Sequence, residues 1–192
     1  SEMESENLPE ESGAFDEIKD LAKSAKSFLD KLIGPPLEEV GGLMADQVKF
    51  FRFKQQVKII NKAQETIKKS GIEPNKISLK TLVPILENGS LEEDDSMTDR
   101  WSGLLATAAT KDGEKIVRPC FAEILKELSP TEAVVLDGIY DMIQKVGIPR
   151  EEWDTRGGTS DTLKKHLGLS DLEYGLSIDN LFRLRLCAMP ST

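Results

Sequence analysis

The sequence predicts an all-α fold: a multi-helix bundle followed by a small C-terminal tri-helical segment of helix-turn-helix type. Three observations carry this. Apolar residues recur in steps of three and four along successive segments, which is the spacing of one helix face. Start and stop signals bracket those segments. No stretch sustains the period-two alternation and turn pairs of strands. The division expected from composition is a disordered acidic N-terminus over residues 1–13, a bundle over 14–147 and a C-terminal module over 148–192.

The first element is "AFDEIKDLAKSAKSFLDKLI", residues 14–33. Phe15, Ile18, Ala22, Ala25, Leu29 and Leu32 step by three and four, Asp16 and Glu17 open it, and Lys31 lies in its last turn. Charges so placed complement the helix dipole. The helix stops at "GPP", because proline cannot continue it. A second helix starts after Pro36 and runs to about Ser70, with Gly41 and Gly42 able to kink it and Gly71 closing it. Phe53, Val57, Ile60 and Ile67 form its apolar stripe, with Ala63 beside it. Lys54, Lys58 and Lys62 lie four apart on a neighbouring row. Like charges at that spacing cost about 0.2–0.5 kcal/mol per pair, so this face either meets acidic groups or tolerates mild repulsion.

Residues 78–87 predict a short element interrupted at Pro84. The acidic run Glu92–Asp95 then leads into a helix whose Met97, Trp101, Leu104, Leu105 and Ala108 face a core. "RPCFAEILKEL" predicts a helix with Phe121, Ile124, Leu125 and Leu128 inward. Over 129–147, Ser129 as cap, Pro130 at the first helical position and Glu132 three beyond the cap form a capping box. "IPREEWDTRGG" (148–158) is a loop. "TSDTLKKHLGLS" predicts a short helix ending at Gly168, and "LSIDNLFRLRL" (176–186) another.

Charge is unevenly spread. The chain carries a net charge of −9, yet residues 49–80 hold 9 bases and 2 acids. Overall negative charge opposes non-specific nucleic-acid binding, which needs positive potential. The two cysteines, Cys120 and Cys187, sit in apolar contexts, which fits a reducing compartment and an expected cytoplasmic location. No apolar run reaches the length of a membrane span, and the sequence opens on an acidic, Ser-rich stretch instead of a signal segment.

The motifs of catalysis are missing: there is no H-E-x-x-H, no C-x-x-C and no phosphate-binding G-x-x-x-x-G-K. The single histidine, His166, stands beside Leu167 as a structural or exposed residue, and the run 92–95 reads as a solvated helix start instead of a cation site. The expectation is therefore a non-enzyme with no cofactor and no metal. Three kinds of contact remain. The row Lys54, Lys58 and Lys62 is the candidate interaction face for an acidic protein partner or for self-association. Arg183 and Arg185 are candidate nucleic-acid contacts on the helix-turn-helix-like tail. Phe50, Phe51 and Phe53 beside the lysines would serve a membrane-surface toxin, although Phe53 continues the core stripe.

One family resemblance adds to this. "GPPLEEVGGLMADQVKFFRFKQQVKIINKA", "LVPILENGSLEEDDSMTDRWSGLLATAATKD" and "RPCFAEILKELSPTEAVVLD", spanning about Gly34 to Asp137, resemble the Abi-alpha family, a bacterial abortive-infection domain. The tail "SIDNLFRLRL" resembles that family's closing pattern. The resemblance implies a helical bacterial protein of phage defence, with a phage or host protein as partner, and carries over no catalytic residue. Arg185 stands where the family tends to have glycine. The resemblance also implies a strand-like continuation that this sequence lacks, so the C-terminal module is expected to be truncated and its nucleic-acid role weakened.

Overall fold

The computed structural model describes residues 11–33, 47–146 and 158–187. Among them are nine helices and no strand. The chain divides into two compact units, Ser1–Lys126 and Glu127–Thr192. The first contains α1 (Glu11–Ile33), α2 (Gln47–Lys69), α3 (Leu79–Gly89), α4 (Asp95–Ala108), the single turn α5 (Gly113–Ile116) and α6 (Pro119–Lys126). The second contains α7 (Pro130–Val146), α8 (Gly158–Leu167) and α9 (Asp171–Arg183). Residues 11–13, grouped with the tail on composition, form the first turn of α1. The expected start of the second helix after Pro36, the Gly41–Gly42 kink and most of the 148–158 loop lie outside the described residues.

In the first unit α2 is the central element, packing against α1, α3 and α4. The stripe read from the sequence is buried at Val57, Ile60, Ala63 and Ile67, and Phe53 packs at its edge. Ile59, off that stripe, is fully buried too. A helix with neighbours on several sides needs more than one apolar face, and a single-stripe reading misses the second. From α1, Ala25, Phe28 and Leu32 join the same buried cluster, while Ala22 and Leu29 are only partly covered. Phe28 was not on the predicted stripe, so the buried face is rotated toward it.

Two side-chain pairings fix the direction of α1. The Asn61 amide donates to the Leu21 carbonyl at 3.1 Å, and the Ser24 hydroxyl donates to Gln64 Oε1 at 3.0 Å. Both partners advance together along their helices, so α1 and α2 run parallel. The Ile77 amide donates to the Leu32 carbonyl at 2.9 Å and satisfies one of the orphan acceptors at the end of α1.

Helix α4 buries Met97, Trp101, Leu105 and Ala108 as its spacing predicts, with Leu104 partly covered. Helix α3 runs unbroken through Pro84. The expected interruption fails because Pro84, the sixth of eleven residues, removes a single backbone hydrogen bond, while Leu82 and Ile85 on either side are buried and hold the helix in the core. In α6 it is Ala122 that is buried, and Phe121 is left partly exposed. A helix of only eight residues can present one narrow strip to the core, and the small residue takes it.

In the second unit α7 packs with both α8 and α9, although sequence spacing grouped its residues with the bundle. Ala133, Val135, Leu163 and Leu181 are buried. The box at Ser129 is present: the Ser129 amide donates to Glu132 at 2.7 Å, and the Glu132 amide donates to the Ser129 hydroxyl at 3.3 Å. Helix α9 starts at Asp171, five residues before the expected 176, because Ser170 and Glu173 form a second capping box.

Three helix ends share one closing geometry. After α2, α8 and α9 the chain passes through a left-handed residue: Gly71 (φ 65°), Gly168 (φ 67°) and Arg185 (φ 58°). In each, the next amide reaches back to a carbonyl five residues earlier: Ile72 to Ile67, Leu169 to Lys164 and Leu186 to Leu181. This is the Schellman closure, which favours glycine because it has no Cβ. Arg185 occupies the third site at a conformational cost. Arg185→Gly is expected to stabilise the second unit by about 0.5–1 kcal/mol, and Gly168→Ala to destabilise it by a similar amount. Urea melts followed by circular dichroism measure both. A destabilising Arg185→Gly would mean that the arginine side chain contributes more than its backbone strain costs.

Candidate interaction face

The lysine row of α2 meets the N-terminal half of α4. Lys58 Nζ lies 2.5 Å from Asp95 Oδ1, and Lys62 Nζ pairs with Asp99 Oδ1. The lysines are four apart and so are the aspartates. The two helices therefore run parallel, with two ion pairs in register. Lysines that would repel one another along α2 are neutralised across it. The lysine side chains are about one-third exposed, whereas Asp95 and Asp99 are 81% and 63% exposed. The outward surface of this seam is thus mainly carboxylate. Lys54, one step further toward the start of α2, is exposed and has no ion-pair partner among the described residues.

The rest of the acidic run is also engaged. Glu92 Oε1 accepts the amides of Glu93 and Asp94 at 3.1 Å each. Asp94 caps α4, accepting the Met97 amide at 2.9 Å and the Ser96 hydroxyl at 2.6 Å. The Ser96 hydroxyl and then the Met97 amide hold the Asp94 carboxyl below the usual carboxylate range. Asp95 is lowered as well, first by its hydrogen bond from Lys58 and then by the charge of that lysine. Near the start of α2, Arg52 Nε donates to the fully buried Ser90 hydroxyl at 2.9 Å, which in turn donates to the Glu87 carbonyl. That basic residue was not singled out in the sequence. Its neighbours Phe51 and Phe53 are half-buried, with Phe53 against the core.

In the second unit Arg183 donates to Glu127 Oε2 at 2.5 Å and to Asn180 Oδ1 at 2.8 Å, and the Asn180 amide donates to the Glu127 carbonyl. Arg183 thus ties the end of α9 to the approach to α7. Arg185 is exposed in its left-handed turn, and the two arginines do not share a helix face. Lys164 joins α8 to α9 through Asp171 and also pairs with Asp161 within α8. The Asp171 contact, followed by Asp161, raises the Lys164 pKa. His166 is exposed on α8. Cys120 is exposed, and partial burial pushes the Cys187 thiol up. Among the described residues no group of three or more His, Cys, Asp or Glu is placed to hold a metal ion, and no helix is long and apolar enough to cross a membrane.

Fold and surface together define an all-helical protein whose polar side chains tie helix to helix. The model of the abortive infection alpha family matches residues 47–192, which is most of the chain, and the protein belongs to that family. The match begins at the first residue of α2 and leaves α1 outside it. No curated protein and no solved structure matches the chain.

Carboxylates with lowered pKa stabilise the folded state above their unfolded value, and that contribution is lost as pH falls through the folded value. Asp94, Asp95, Glu123, Asp171 and Glu173 are all lowered. Stability is expected to decline below about pH 4, where the unfolded chain takes up these protons first. Asp95→Asn should melt lower than the parent at neutral pH and lose less on acidification. Melting curves between neutrality and pH 3 give the comparison, and parallel pH profiles would exclude a contribution from the Lys58–Asp95 pair.

Proposed function

We propose that this protein acts in bacterial phage defence by abortive infection, working in the cytoplasm through protein contacts and without a catalytic step of its own. The observation that carries the reading is the family match over residues 47–192. Support for a contact mechanism comes from the chemistry of the polar groups. Of the side chains that sequence spacing offered for function, Lys58, Lys62 and Arg183 are engaged in ion pairs that hold helices together, while Lys54 is exposed.

The contact surface on this reading is the start of the α2 row. Lys54 is the exposed member of that row with no ion-pair partner among the described residues, and an acidic protein segment of phage or host origin would meet it there. Lys58 and Lys62 contribute by holding α4 in place.

The test is plaque formation and cell survival under a phage panel, with expression from the native promoter. Fewer plaques together with death of infected cells are expected. Lys54→Glu should weaken protection at least tenfold in plating efficiency while changing the stability of the fold by no more than a surface substitution does, about 0.5 kcal/mol. Unchanged plating across the panel for the parent protein would overturn the defence role. Full protection by Lys54→Glu would remove Lys54 from the contact surface.

A further inference from the structure

Because α1, α2 and α4 run parallel, their C-terminal ends gather at one end of the first unit. The segment after α2 ties that end together. The Asn75 amide donates to the Ala109 carbonyl at 2.8 Å, just past α4, and the Ile77 amide donates to the Leu32 carbonyl at 2.9 Å, in the last turn of α1. The Ser78 amide donates to Glu114 Oε1 in α5. Residues 66–80 and 109–118 therefore share this end of the unit.

Together the two stretches hold seven bases and three acids, in a chain of net charge −9. Two of the acids are already engaged: Asp112 pairs with Lys115 at 2.9 Å, and Glu114 takes the Ser78 amide. Lys68, Lys76, Lys80, Lys111 and Arg118 are exposed and have no ion-pair partner among the described residues. Helix dipoles explain only part of this. Lys68 and Lys69 lie in the last turn of α2, where cations are favoured. Lys80 lies in the first turn of α3, where a cation opposes the dipole and no acid offsets it.

Large aliphatic side chains stand among these bases. Ile72 is 42% exposed, Leu79 59% and Ile116 57%. Single exposed aliphatic residues are common on any protein. Three on one basic end make the composition of a surface that meets lipid, in which apolar side chains enter the headgroup layer and lysines meet its phosphates. A nucleic acid would be met differently. Contacts to its backbone leave aliphatic side chains without a role, and its exposed bases stack on aromatic rings. Neither stretch contains an aromatic residue.

We propose that this end of the first unit is a peripheral docking surface for an anionic bilayer. Ile72, Leu79 and Ile116 enter the headgroup layer, and Lys76, Lys80, Lys111 and Arg118 meet lipid phosphates. Attachment of this kind needs no spanning helix, and there is none among the described residues. Phe51 and Phe53, near the other end of α2, are half-buried and take no part. The inference stands on the geometry of the first unit and is independent of the phage-defence reading.

The test floats the full-length protein with vesicles of phosphatidylcholine alone and of phosphatidylcholine mixed with phosphatidylglycerol. Binding to the mixed vesicles is expected to exceed that to the neutral ones at least tenfold and to weaken with salt. Lys76→Glu combined with Lys80→Glu should lower it at least tenfold, whereas Lys165→Glu, the same charge change on an exposed lysine of the second unit, should leave it unchanged. Leu79→Ser combined with Ile116→Ser alters no charge and should also lower it about tenfold, which separates entry into the headgroup layer from attraction alone. All of these side chains are exposed, and circular dichroism melts check that each variant keeps the parent fold. The proposal is overturned if the two vesicle compositions bind alike, or if either double variant binds as the parent does. It is overturned as well if single-stranded DNA is bound and mixed vesicles are not, which would make the same cations a nucleic-acid site. Plating efficiency enters none of these readouts, so this proposal and the proposed function fail separately.

Discussion

At Gly89 three helices come as close as backbone and side chains allow. A Cβ placed there would lie 2.7 Å from Ile59 Cδ1 and 3.1 Å from the Trp101 ring. Ile59 belongs to α2, Gly89 ends α3 and Trp101 sits in the middle of α4. All three are buried, and Trp101 is the largest fully buried side chain among the described residues. The indole Nε1 has no hydrogen-bond partner there. A buried donor without a partner costs about 1–3 kcal/mol. The ring holds its place because its apolar area outweighs that cost, and the missing Cβ at Gly89 makes room for it. A second close approach supports the first. Gly113 packs against the carbonyls at the end of α4, where a Cβ would fall 2.2 Å from the Thr107 oxygen, and this turns the chain toward α6.

The electrostatics follow from that packing. Once α4 is fixed on α2 by Trp101, its acidic first turns run beside the basic row, and Lys58 and Lys62 meet Asp95 and Asp99. Exposed ion pairs contribute little individually, about 0–1 kcal/mol. Their role here is alignment, since two pairs one helical turn apart are satisfied in only one register. The alternation of basic and acidic stretches along the sequence becomes, in space, a neutralised seam.

Much of this was legible in the sequence where the signal is local. The capping box at Ser129 and Glu132 and the apolar spacing of α4 are read from adjacent residues and appear as expected. The box at Ser170 and Glu173 was equally visible as a Ser followed by Glu at the third position, and it sets the true start of α9. Features that depend on neighbours were not legible. Ile59 and Phe28 are buried because α2 is surrounded and α1 is rotated, facts that no single-helix pattern contains. The lysine row was read as a face that either meets acidic groups or tolerates mild repulsion. Spacing alone could not tell that two of its three members find that company in α4, or that Arg183 is engaged by Glu127.

The parallel arrangement of α1, α2 and α4 bears on how the chain reaches this structure. The pairs that lock these helices together are 37 to 40 residues apart in sequence. Bundles of antiparallel neighbours fold quickly because most of their contacts are local. Here each locking contact closes a long loop before it is rewarded, and the entropy of that closure comes first. The first unit is thus a helical protein with the folding problem of a more complex topology. Its transition state has to bring distant segments into register, and the pace of folding is set by that search and not by how fast its helices form.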